Sequence, residues 1–110
     1  MFLLIVGCSF MQATEYTQTG RASFYANKFH GRRTSSGEIF KQDNLTAAHK
    51  TLKFGTIVKV VNLSNDSIVT VKINDRLSQS SSSIIDLSMK AAKQLNFVSK
   101  GHTKVKIEAI

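Results

Sequence analysis

A chain of 110 residues has room for one domain with a single modest core, and its ordinary apolar content gives no sign of wholesale disorder. The formal charge of +8 points to an anionic partner or surface, although a basic solvated surface accounts for it equally well. The lysines are spread along the chain, with no helical basic stripe, zinc-finger spacing or aromatic RNA-binding signature, so nucleic acid is not expected as a partner.

Met1 to Val6 is wholly apolar, and Ile5-Val6-Gly7-Cys8 has the small-residue approach to cysteine of a bacterial lipoprotein signal. Residues 1–7 are therefore expected to be a signal segment, cut short at its start, since no Lys or Arg precedes the apolar run. Cys8 becomes the lipidated residue; the alternative is a buried strand with an inert thiol. As the single cysteine it can form no internal disulfide. Residues 8–19 are polar and aperiodic, which suits a tether, and residues 20–110 are expected to form the domain.

Gly20 to Ala26 is compatible with a first strand, and Phe29 to Glu38 reads as a loop with two glycines. Leu45-Thr46-Ala47-Ala48-His49 suits one helical turn or a short strand. Thr56 to Leu63 and Ile68 to Asn74 alternate and are β-branched, and Ser64-Asn65-Asp66-Ser67 joins them as a hairpin turn. Gln79 to Ser83 is a flexible serine bridge. Ser88 is placed to cap a helix over 89–95 whose apolar face is Leu87, Ala91, Ala92 and Leu95, and Thr103 to Ile110 alternates as a closing strand. Many short strands with a single helix indicate an all-β barrel or sandwich.

Two acids stand out. Asp75 ends the alternating strand, and Asp86 sits between Ile85 and Leu87. A carboxylate with apolar flanks is costly to bury unless paired or neutralised, so Asp86 is either locked in a structural network or kept partly protonated for chemistry. Asp75 can serve chemistry or simply pair with Arg76 or Arg32.

Six segments occur in order: Gly20-Arg21-Ala22-Ser23-Phe24-Tyr25, Phe29-His30-Gly31-Arg32-Arg33-Thr34, Gly37-Glu38, Leu45 to His49, Asn74-Asp75-Arg76 and Ile84-Ile85-Asp86-Leu87-Ser88. Together they closely resemble the rare lipoprotein A (RlpA) family of bacterial envelope proteins, from about Gly20 to the C-terminus. The resemblance implies a six-stranded double-psi β-barrel related to barwin and expansins. It implies a lytic transglycosylase that cuts peptidoglycan between N-acetylmuramic acid and N-acetylglucosamine, leaving a 1,6-anhydro end. The alternative is a non-catalytic, expansin-like wall-binding or wall-loosening module. Localisation follows as the cell envelope, lipid-anchored through Cys8 and facing the periplasm, with the outer membrane favoured. Two departures border the cleft: Leu77-Ser78-Gln79 replaces the usual Gly-Pro-aromatic continuation, and Lys41 stands where an acid is common.

Protonating a leaving glycosidic oxygen needs a carboxyl that stays protonated near neutral pH. A transglycosylase needs no second nucleophile, because the muramic acid C6 hydroxyl attacks its own anomeric carbon. The resemblance makes Asp86 the candidate acid/base, Asp75 its acidic neighbour, and Glu38 and His49 the further catalytic candidates. Tyr25 and Phe29 are candidate sugar-stacking residues, with core packing as the alternative, and Arg32 and Arg76 complete the substrate-binding set. His30 and His102 lack a ligand pattern, so neither metal nor cofactor is expected. The sequence carries no signal for oligomeric state.

Overall fold

The computed structural model describes residues 16–110. The expected signal segment, the lipidation site Cys8 and the tether up to residue 15 lie outside the described residues. Six strands follow: β1 (Thr17–Phe24), β2 (Thr46–His49), β3 (Ile57–Asn62), β4 (Ile68–Arg76), β5 (Ile85–Leu87) and β6 (Thr103–Ala109). One short helix, α1 (Met89–Gln94), lies between β5 and β6, and a 3-10 turn covers Asn27–Phe29.

The strands close into a barrel in the order β1-β5-β2-β4-β3-β6, with β6 returning to β1. Two neighbouring pairs are parallel, β1 with β5 and β2 with β4, and the remaining pairs are antiparallel. Closure leaves no sheet edge, which lets short strands such as the three-residue β5 be fully paired. Alternation then sorts the side chains. Val58 and Val60 of β3, Val69, Val71 and Ile73 of β4, and Val105 and Ile107 of β6 point inward and are buried. β5 contributes Ile85 and Leu87 on either side of Asp86, so its two apolar flanks are core and the acid faces out. Helix α1 plugs one end with Ala91, Ala92 and Leu95, and Ser88 caps it by accepting a hydrogen bond from the Ala91 amide.

Three local details differ from the sequence expectations or settle them. β1 begins at Thr17, three residues before Gly20, because residues 17–19 find backbone partners in Lys106 to Glu108 of β6. Of Leu45 to His49, Thr46–His49 resolves to strand, since β2 runs between β4 and β5 and pairs with both. Gly20 is required by packing: a Cβ there would come within 2.7 Å of the Ile84 side chain.

Candidate active site

The site is a row across four strands. Ser23 of β1 lies opposite Asp86 of β5, Asp86 opposite Ala48 of β2, and Ala48 opposite Asp75 of β4. Neighbouring strands are about 4.8 Å apart, so the two aspartates start roughly 10 Å apart at Cα, with only the Ala48 methyl between them. Their side chains line one open cleft of about 440 Å³ with Tyr25, Phe29, Arg76 and Leu77.

Asp75 reaches this cleft because β4 carries a bulge. Ala47 pairs with Ile73, but Ala48 pairs with Asp75, so Asn74 is the extra residue. Simple alternation after Val69, Val71 and Ile73 would turn Asp75 into the barrel, where a charge is not tolerated. The bulge re-aims it outward, as bulges beside functional sites do. Two consecutive polar residues after Ile73 were the visible trace of this in the sequence.

The two carboxylates have unlike surroundings. Asp75 accepts three hydrogen bonds: from the Tyr25 hydroxyl at 2.6 Å, the Ser35 amide at 2.9 Å and the Arg76 amide at 2.8 Å. Burial pushes its pKa up, but these donors outweigh burial and hold it below the ordinary aspartate value. Asp86 receives no hydrogen bond from any group among the described residues. Burial first, and the charge of Asp75 second, raise its pKa above the ordinary value. One acid is therefore held ionised and the other is biased toward its protonated form, the arrangement that assigns different roles to paired carboxylates.

The loop over 31–40 brings the Ser35 amide to Asp75. It folds back on itself through the Arg33–Ile39 bridge, with Gly37 at φ 94° completing the turn. Glu38, at the end of that turn, does not line the cleft. Its carboxylate lies along the flank of β4, accepting from Lys72 at 2.9 Å and from the Asn74 side chain at 3.0 Å. Hydrogen bonds from these two groups keep it below the ordinary glutamate value, hence ionised.

His49 follows Ala48 on β2, so it faces the opposite way and is buried, 2% exposed. Its Nδ1 accepts from the Thr51 and Leu52 amides, while Nε2 meets Tyr16 and Gln18 at 3.2 and 3.0 Å. Burial, then the charges of Arg76 and Lys50, lower its pKa, so the ring is neutral and carries its proton on Nε2. The ring fixes the 49–52 backbone, whose His49 and Leu52 carbonyls in turn hold the Arg76 guanidinium at 3.0 and 2.8 Å. Arg76 also stacks on Phe54, 4.3 Å from the ring centre. Neither Arg76 nor Arg32 forms an ion pair with Asp75.

Of the two expected stacking residues, Tyr25 is packed: its ring lies 4.1 Å from that of Phe40 in a parallel stack, and only its hydroxyl works in the cleft. Phe29 is 37% exposed at the cleft rim, with Lys28 and Arg32 beside its ring. The structure thus brings Asp75, Asp86, Tyr25, Phe29 and Arg76 together, sets Glu38 on the adjoining flank and places His49 behind the sheet. Sequence reasoning passed over Ala48, Ser35 and Asn74, which act through smallness, a backbone amide and a bulge.

A closed six-stranded barrel with two parallel pairs is a double-psi β-barrel, and this one carries two unlike aspartates in an open cleft. The chain belongs to the lytic transglycolase family, whose family model matches residues 17–107. It is 48% identical over 99 residues to the endolytic peptidoglycan transglycosylase RlpA of Neisseria meningitidis, covering 90% of this chain and 41% of that protein. The protein of the same name from Campylobacter jejuni is 49% identical over 94 residues, covering 86% of this chain and 34% of the relative. The chain spans less than half the length of these relatives. Among solved structures, the Streptomyces papain inhibitor matches with a TM-score of 0.71 at 17% identity, covering 88% of this chain and 96% of its own. An expansin from Clavibacter michiganensis matches at 0.68 and 18% identity, covering 86% of this chain and 50% of the expansin. These likenesses confirm the expected fold.

Proposed function

We propose that the chain is a peptidoglycan lytic transglycosylase that cleaves the bond between N-acetylmuramic acid and N-acetylglucosamine, leaving 1,6-anhydro ends. The observation that carries the reading is the pair of unlike aspartates in one open cleft, Asp75 with three donors and Asp86 with none. The names of the relatives at 48–49% identity support the substrate.

In this mechanism the protonated Asp86 gives its proton to the leaving glycosidic oxygen as the bond to the muramic anomeric carbon breaks. The ionised Asp75 stabilises the positive charge that develops on the sugar. The muramic C6 hydroxyl then closes on the anomeric carbon, and the Asp86 carboxylate takes its proton, regenerating the acid without water. Phe29 offers an exposed ring to a sugar face at the rim. Glu38 holds Asn74 and hence the bulge that aims Asp75, and His49 holds the loop that fixes Arg76. The protein works in the cell envelope, anchored through a lipid on Cys8, with the outer membrane as the favoured site.

Incubating the chain with purified sacculi, intact and stripped of stem peptides, and analysing the products by mass spectrometry tests this. Anhydro-ended fragments are expected. Binding to both substrates with no new chain ends would overturn it in favour of the wall-loosening module.

A further inference from the structure

We infer that Tyr25 is a positioning residue whose hydroxyl makes the two cleft aspartates unlike, fixing the negative charge on Asp75 and thereby leaving the transferable proton to Asp86. This deepens the transglycosylase reading and rests on it for the catalytic consequence, though not for the proton placement itself.

The geometry has three parts. The Tyr25 hydroxyl donates to Asp75 Oδ2 at 2.6 Å, a short charge-assisted bond. Its ring cannot swing away, being stacked on Phe40 at 4.1 Å and met edge-on by Phe29 at 6.0 Å. Its backbone amide is tied to the Leu87 carbonyl, one residue beyond Asp86, so the tyrosine is registered to β5 while its hydroxyl reaches β4. Asp75 and Asp86 stand on either side of Ala48, and the charge of Asp75 acts on Asp86.

Among the remaining side chains only Ser35 contributes, and least of all the donors to Asp75. On β4, the Arg76 guanidinium is spent on the His49 and Leu52 carbonyls and on Phe54. On β2, the facing residue is Ala48. From the 31–40 loop the Ser35 amide reaches Asp75, and Glu38 lies on the far side of Asn74. Tyr25 is thus the dominant side-chain donor to the cleft aspartates among the described residues. Burial, the bond to Asp75 and the charges of both aspartates push its own pKa far above the ordinary phenol value, so it remains a donor wherever the enzyme is folded. Sequence reasoning left this residue open between sugar stacking and core packing, and its ring is stacked on Phe40.

The test is carbon-detected NMR titration of the aspartate carboxyl carbons in the full chain, wild type and Tyr25→Phe. In the wild type, Asp75 is expected to titrate in the lower step and Asp86 in the upper. In Y25F the lower step should rise by about one pKa unit or more, the size of a lost hydrogen bond to a charged group. The two steps should then lie closer together. On sacculi, kcat should fall about tenfold with KM nearly unchanged, and the acid limb of the pH profile should move up by the same shift. Unchanged titrations in Y25F, or a raised KM with kcat intact, would overturn the inference. Should Y25F fail to fold, 3,5-difluorotyrosine at position 25 keeps the shape and strengthens the donor, and must lower the Asp75 step; no movement would count equally against it. A clear titration contrast in a protein inert toward sacculi would defeat the transglycosylase reading and leave this one standing.

Discussion

Asp86→Asn should destroy activity and stabilise the fold at once, and the opposed signs make it a sharp test. The carboxyl of Asp86 is partly buried, faces the charge of Asp75 and receives no hydrogen bond among the described residues. Loss of a positioned general acid costs about 10²- to 10⁴-fold in rate, or roughly 3–5 kcal/mol of barrier. Whenever it is ionised, the same carboxylate is a cost to folding: an undonated, part-desolvated charge costs on the order of 1 kcal/mol when water still reaches it. An amide of the same shape removes that cost. For a domain of this size about 1 kcal/mol moves Tm by roughly 4–8 °C. The pH dependence has a definite sign. The folded-state pKa of Asp86 is raised, so its contribution to stability is full below the unfolded value near 4 and is lost as pH rises through the folded one. The wild type should therefore lose more stability than D86N over that rise. Calorimetry across pH 4–8, with muropeptide analysis of the same samples, measures both effects. A D86N protein that releases fragments within a few-fold of wild type, or that melts below it at pH 7, would refute the reasoning.

Glu38→Gln keeps the hydrogen bond with Asn74 but gives up the exposed ion pair with Lys72, worth about 0.2–1 kcal/mol. Release of anhydro fragments should stay within a few-fold of wild type, because the bond that holds the bulge is kept, with little change in Tm; a loss of about a hundredfold or more would refute a purely positioning role for Glu38. His49→Gln should destabilise by about 2 kcal/mol, since two loop amides lose a buried acceptor, as read by urea melts. The folded pKa of His49 is lowered, so its contribution is present above about pH 6.5 and is lost as pH falls; H49Q should lack that acid-side loss. Deleting Asn74 removes the bulge but keeps Asp75 on the outer face opposite Ala48, because alternation after Ile73 then turns it outward; the loss is the hydrogen bond to Glu38, about 1 kcal/mol. Circular dichroism melts should show a folded protein with a modestly lowered Tm, and a collapse of the fold would refute the assignment of Asn74 as the extra residue.

Local physics alone laid down much of this molecule. The β-branched alternation of β3, β4 and β6, the Ser88 cap and the apolar face of α1 are each properties of a few adjacent residues, and each formed where the pattern placed it. The apolar flanks of Asp86 singled it out as an unusual acid, and the barrel places it on the outer side of a core strand. The ambiguous stretch was Leu45 to His49, whose small residues have no strong period; two neighbouring strands decided it. What only tertiary structure could decide is the difference between the two aspartates. Two of the three donors to Asp75 arrive from Tyr25 and Ser35, 50 and 40 residues away in the chain, and the residue that aims it outward is a bulge against β2. Hydrogen bonds over such separations depend on barrel closure and register, which no short window of sequence contains. Periodicity could name the acids, and closure of the sheet chose which one keeps its charge.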